Sequence, residues 1–363
     1  MAERKRGDTL RQKTSITNVI KYAGAYIALE IGSGFATGQE ILQFYSSYGL
    51  MSIPASLISM ILFAWAGSRV MAAGYELRSV GTAQPYQIIC GKTLGTFYEC
   101  FVLFYLFAGL SVMISGAGAS IQEYCGVNYY AGGIFMALLV FCAFAFGLKK
   151  LIDLVGMMGP LIIGVALFVA ICTILPEAGN LSGIFARAET LTEIRPAPTW
   201  WMSGILYAAY NLVSSLAFLM ALGRDASSAK EAAAGGIVGG ILLMLTAVFM
   251  NMALLANLDE IEGSVVPTLK LASAVSPMTG IVFVFVLLCG IFSTAAPILW
   301  TICRNLAREG SRNSLIIALL ISLDALILGQ LPFDRLVGVI YPISGYMGLL
   351  LLLCIGKYRW KRR

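Results

Sequence analysis

Runs of about 20 apolar residues recur from Thr17 to Gly356 and restrict this chain more than any single motif does. A helix of that length crosses the hydrocarbon layer of a bilayer, whereas a soluble domain mixes a polar face into most of its elements. Ten runs are read: Thr17–Tyr45, Met51–Arg69, Gly95–Ile121, Ala131–Gly147, Leu151–Leu175, Trp200–Leu222, Ala232–Ala256, Thr279–Ala307, Ser314–Gln330 and Val337–Gly356. The chain is 59% hydrophobic and 12% charged, where soluble domains run near 45–50% and about 25%. An all-α polytopic membrane protein of about ten transmembrane helices is expected, with no separate soluble domain.

Charge sets the expected orientation. All but four of the 25 Lys and Arg residues fall at alternate ends of successive runs, leaving Arg187, Arg195, Lys270 and Arg335 on the other side. The positive-inside rule then puts both termini in the cytoplasm and the chain in the plasma membrane, a bacterial inner membrane. That distribution also explains the net charge of +6 without nucleic acid. Met1 to Ser15 is hydrophilic and basic, so no cleaved signal peptide is expected. The eight cysteines form no CxxC pair, and there is no histidine. The commonest zinc ligand and the usual general base are therefore missing, and no enzyme is expected. The layout is a basic tail (1–16), five spans (17–175), an outside loop with three prolines (176–199), five more spans (200–356) and a second basic tail (357–363). The outside segment Asn257–Met278 carries the amphipathic run VVPTLKLASAVSP, which fits either a lid helix or a surface loop.

The first run is interrupted. Residues 31–40 read IGSGFATGQE, and Gly32, Gly34 and Gly38 each weaken a helix by roughly 0.8–1 kcal/mol relative to alanine. Glu30 and Glu40 flank them at a depth where a lipid-facing carboxylate is costly. A membrane anchor has no use for either feature. A helix that unwinds at mid-membrane to offer bare backbone to a solute needs the first and can use the second. The half-helix before the break ends near Ile31 with free carbonyls, and the one after it starts near Ser33–Phe35 with free amides. A cation seat and an anion seat thus lie side by side, matching a zwitterionic amino acid. Close helix packing through small residues also accounts for the glycines, but not for the carboxylates beside them. Ten spans divide into two sets of five, and an odd-numbered unit repeated in tandem must invert. In the sixth span AAYNLVSS places Asn211, Ser214 and Ser215 near the midplane, so a second discontinuity is expected there.

GSGFATGQEI in the first span and MISGAGASIQE in the third resemble the YkvI-like bacterial membrane proteins. Those belong to the amino acid–polyamine–cation superfamily, and the resemblance covers essentially the whole chain. It implies the five-plus-five inverted repeat of the leucine-transporter fold, with the first and sixth helices discontinuous. It further implies sodium-binding carbonyls at Ala28 and Ile31 and carboxylate-binding amides at Ser33 and Gly34. In the eighth span GIFSTAAP, it implies a second sodium site at Gly290, Ser293 and Thr294, whose hydroxyls can equally bond back to their own helix. No cofactor is expected, and sodium is the expected coupling ion.

An ionised carboxylate at Glu30 must be paired, hydrated or protonated. It can bind a substrate ammonium, hold a cation, carry a coupling proton or brace the break. The leucine-transporter group has a small neutral residue there, so ion stoichiometry is not inherited. Gln39 and Glu40 lie about two turns beyond the break, where a hydrogen bond to the sixth span is favoured over a place in an entrance vestibule. The expected substrate-binding set is Glu30, Gly32, Ser33 and Gly34, joined by Ser111 and Ser115 of the third span and Tyr207, Tyr210, Asn211 and Ser214 of the sixth. Tyr105 can also face the centre.

The leading expectation is a secondary active transporter, a sodium-coupled symporter of an amino acid or similar small zwitterion. The alternatives are a proton-coupled or exchange carrier of a cationic amine or polyamine and, in another class, a receptor or scaffold that moves nothing. The expected partners are a small-molecule substrate and the lipid bilayer, and monomer and homodimer both fit.

Overall fold

A computed structural model describes residues 15–78, 84–146, 152–177, 187–308 and 310–358. Lys149, Lys150 and most of the two basic tails lie outside these residues. The first expected span is three pieces: α1 (Ile16–Glu30), α2 (Ser33–Thr37) and α3 (Gln39–Phe44). The second is α4 (Ser52–Glu76). A short α5 (Pro85–Cys90), which the hydropathy pattern does not reveal, leads into the third, α6 (Lys92–Cys125). Then come α7 (Tyr129–Phe146) and α8 (Ile152–Ile174). The second half comprises α9 (Trp200–Arg224), α10 (Ala229–Ala256), the short α11 (Leu258–Ile261) and α12 (Pro267–Val275), and finally α13 (Pro277–Leu306), α14 (Arg312–Leu328) and α15 (Phe333–Lys357). Among the described residues 7 helices are long and apolar enough to cross a membrane. The remaining expected spans are the broken first, the shorter α14, and α8. The protein is an all-α polytopic membrane protein.

Why these helices sit in lipid shows on α7. Its Gly132, Gly133, Met136, Ala137 and Val140 are buried, while Ile134, Phe135, Leu138 and Leu139 point away from the protein. Both faces are apolar, so only a hydrocarbon solvent satisfies the outer one.

The helices form two groups. In one, α4 packs between α9 and α10, α10 carries α1, and α9 carries α15; in the other, α6, α7, α13 and α14 pack on one another. Small residues let the first group close up: a Cβ built on Gly236 of α10 would run into the Gly67 backbone of α4. The broken span bridges the groups, α1 lying on α10 and α2 against α6 and α13. The break therefore sits at their seam.

Glu231 ties the start of α1 to the start of α10. Its buried carboxylate accepts from Ser15 N (3.0 Å), Asn18 Nδ2 (3.2 Å) and Ser227 N (3.0 Å), while Ser228 Oγ caps the Glu231 amide at 3.1 Å. Glu231→Ala strips three donors of their acceptor at once and is expected to destabilise the folded protein by about 2–3 kcal/mol. Thermal unfolding in detergent would read this as a clearly lowered midpoint. An unchanged midpoint would mean that the two helix ends are held by other contacts. At the same end of the bundle, Arg69 of α4 donates to Ile355 O (3.2 Å) and Tyr358 O (2.9 Å), tying the end of α15 to α4.

One sequence expectation changes here, and one open alternative is settled. The sixth span is not discontinuous: α9 runs as one 25-residue helix. Its polar side chains bond to their own helix instead of replacing its backbone bonds, Asn211 Nδ2 donating to Tyr207 O (3.0 Å) and Ser214 Oγ to Asn211 O (2.9 Å). In the segment Asn257–Met278, the amphipathic run forms helix α12, not a loop. Pro267, Leu269, Leu271 and Ala272 are buried, and Glu123 of α6 anchors the entry by accepting from Val265 N and Val266 N at 3.1 Å each.

Candidate functional site

The break follows from backbone chemistry. Ile31 takes φ −82°, ψ 93° and Gly32 φ −95°, ψ −173°, so helical geometry stops at Glu30 and restarts at Ser33. The Gly32 amide donates to Glu30 O (3.1 Å) and not to Ala28 O, and Ala36 N donates to Gly32 O (3.1 Å). The helical hydrogen bonds that would close on the Ala28 and Ile31 carbonyls are not made. A second interruption follows five residues later. Gly38 is left-handed at φ 82°, ψ −6°, where a side chain is strained, and Thr268 of α12 covers the place its Cβ would take. The five-residue α2 is thus held between two glycine joints.

Two carboxyls converge on it. Glu30, at the end of α1, is buried, and its Oε1 has no hydrogen-bond partner. Ser215 of α9 lies beside that carboxyl, yet its Oγ is also left without a partner, as is the buried Oγ of Ser33. Glu40, only 3% exposed, turns back from α3 so that its carboxyl lies over Gly34. Tyr210 Oη donates to Glu40 Oε2 at 2.7 Å, and the Tyr207 hydroxyl and Phe35 amide lie beside the same group. This is the expected bond to the sixth span, but aimed at the break and not at a vestibule. Among the described residues neither carboxyl has an ion-pair partner.

Aromatic rings wall the two acids. Tyr207 packs against Phe44 at 5.5 Å, Tyr45 at 5.0 Å and Tyr210 at 5.5 Å between ring centroids. Tyr210 stacks on Tyr341 of α15 at 4.8 Å with 6° between the planes. Tyr105 of α6 lies close to Tyr341. Tyr341 and Phe44 were not picked out from the sequence. Only the Tyr-Pro step inside an apolar run hinted at the former.

The expected residues thus divide. Glu30, Gly32, Ser33, Gly34, Tyr207 and Tyr210 come together, with Met113 of α6 against Gly32. Asn211 and Ser214 spend their donors on α9 itself. Ser111 Oγ donates to Phe107 O (3.2 Å), and Ser115 Oγ meets Tyr129 Oη and Leu331 O (3.1 Å), joining α6 to the α14–α15 turn. On α13, Ser293 Oγ (2.8 Å) and Thr294 Oγ1 (3.2 Å) both donate to Gly290 O, bonding back to their own helix. A cavity of about 430 Å³ opens near Glu123, Tyr129 and Asp334. Phe333 lines it and also meets Gly116, the residue against which Ser33 packs, so this ring lies between the cavity and the break.

No family model matches the chain. It is 25% identical over 331 residues to YkvI, a membrane protein of Bacillus subtilis (strain 168), covering 90% of this chain and 92% of that one. It is 22% identical over 335 residues to YyaD of the same organism, with coverages of 91% and 95%. Its fold superposes on MhsT in complex with L-phenylalanine with a TM-score of 0.63, at 14% identity over 94% of this chain and 88% of that one. Inward-facing Mhp1 gives 0.62 at 15% identity, over 94% and 76%. A Na⁺-coupled sialic acid symporter gives 0.52 at 14% identity, over 93% and 86%. The chain is thus similar to YkvI along nearly the full length of both, and it shares its all-helical membrane fold with MhsT, Mhp1 and the sialic acid symporter.

Proposed function

We propose that this protein is a secondary active transporter that binds a small nitrogen-bearing solute and a coupling cation at the α1–α2 break. The observation that carries this reading is the break itself, where two buried carboxyls lack ion-pair partners and Glu30 Oε1, Ser33 Oγ and Ser215 Oγ lack hydrogen bonds. Buried polar atoms in a purely structural site are normally satisfied. A site that receives a cation keeps such oxygens open for it. The two helix groups supply the moving parts, since rocking one against the other opens their seam to one side and then the other.

Sodium is the proposed coupling ion, its expected ligands being the Ala28 and Ile31 carbonyls at the end of the first half-helix and, at the second site, Gly290, Ser293 and Thr294 of α13. Support comes from a Na⁺-coupled symporter among the fold neighbours. A zwitterion such as an amino acid would place its ammonium at Glu30 and its carboxylate at the Ser33 and Gly34 amides. A second reading, a proton-coupled or exchange carrier with Glu30 as the ion carrier, draws on the unpartnered Oε1 of Glu30. Replacing Ser293 and Thr294 together with alanine separates the two. In proteoliposomes the double variant is expected to need at least about tenfold more sodium for half-maximal uptake. Unchanged sodium activation removes this site. A solute that binds but is not moved by the parent would make the protein a receptor.

A further inference from the structure

Glu40 occupies ground that a solute's own carboxylate would need. Its carboxyl lies over Gly34 so closely that even a Cβ on that residue would overlap it. The Tyr210 hydroxyl holds one oxygen at 2.7 Å, and the Phe35 amide lies beside the group. Phe35 is the third residue of α2, and its amide has no partner within that short helix. The chain thus brings its own carboxylate to the break. A second carboxylate, carried in by an amino acid, would meet Glu40 with like charge in a buried place.

A cation meets the opposite surroundings. Glu30 offers an unpartnered Oε1. Beside it, the buried hydroxyls of Ser33 and Ser215 make no geometrically sound hydrogen bond and can accept from an ammonium. Among the described residues no Lys or Arg pairs with either acid, so in their ionised form the charge that balances them comes from a ligand.

We infer that the solute is an organic amine without a carboxylate, and that Glu40 is the residue that excludes amino acids. This rests on the transporter reading for its location, but it concerns selectivity and is tested by binding. The probes are matched pairs that differ only by the carboxylate: phenylalanine with phenethylamine, leucine with isopentylamine, ornithine with putrescine. Each is added to the detergent-purified protein, and the shift in melting temperature is titrated. In the parent at least one amine is expected to bind at least about tenfold more tightly than its amino acid. Glu40→Ala vacates the space over Gly34, and the order of that pair is expected to reverse.

Glu40→Gln guards against misfolding of the alanine variant. It keeps the shape and the Tyr210 partner but removes the charge, so it is expected to weaken the amine at least about tenfold while still excluding the amino acid. A parent that prefers the amino acid in every pair overturns the inference. So does an order that stays the same in a folded Glu40→Ala protein, the result a merely structural Glu40 would give. An amine that binds in this way but is not moved in proteoliposomes defeats the transporter reading alone and leaves the role of Glu40 standing.

Discussion

Gly34→Leu should reduce solute uptake by about 100-fold while the protein still inserts and folds. The cause is local. A Cβ at Gly34 would overlap the Glu40 carboxyl, so any side chain there must expel Glu40 from its bond with Tyr210. Leucine also fills the gap between the half-helices and favours a continuous helix over a broken one. Gly34→Ala should show a milder form of the same defect. Because the obstacle is Glu40, combining Gly34→Ala with Glu40→Gly should cost less than the sum of the two single changes. Gly109 on α6 serves as the control, since nothing lies within 4 Å of a Cβ built there. Gly109→Ala should leave transport intact. Uptake by Gly34→Leu equal to that of the parent would remove the first span from the binding site.

The second large effect concerns Glu30. Glu30→Gln keeps the shape and removes the charge, in a place where Oε1 has no hydrogen-bond partner and Ser215 stands close by. If Glu30 holds a cationic group, coupled accumulation should fall about 30-fold or more, the usual consequence of neutralising one member of a buried charge pair. If Glu30 carries the coupling proton, the glutamine mimics its protonated form. Net accumulation is then lost, while exchange of labelled for unlabelled solute survives. A bracing role gives a third outcome, a lower melting temperature with normal coupling in the molecules that fold. Net uptake, exchange and melting temperature measured on one preparation separate the three. Full accumulation with unaltered sodium and pH dependence would end any coupling role for Glu30.

Some of this was legible in the residues. The expected spans fall on helices because lipid rewards length and apolarity, and both are properties of a local window. The interruption of the first span was legible for a similar reason. Gly32 and Gly38 need no partner elsewhere to disfavour a helix, and the structure breaks at both, the latter with φ 82°. The sixth span shows where local reading fails. Asn211 and Ser214 are compatible with a break, yet the same side chains can bond to carbonyls of a continuous helix, and on α9 they do. Sequence does not say which acceptor a hydroxyl or amide will take. Ser111 and Ser115 show the same: one bonds within α6, and the other reaches the turn before α15.

The chain by itself therefore determined that the protein is a helical membrane bundle, that its first span unwinds around Gly32, and that two acids flank the gap. These properties lie within a few residues of one another, so short-range sterics and the solvent preference of the side chains decide them. Only the tertiary structure decided that Glu40 folds back onto Gly34, that Tyr341 stacks on Tyr210 from 131 residues away, and that the Glu30, Ser33 and Ser215 oxygens are left open together. Those facts depend on how α9 and α15 are placed against the broken helix. That placement is set by the summed packing of two helix groups, where side-chain direction and close glycine contacts matter more than hydropathy.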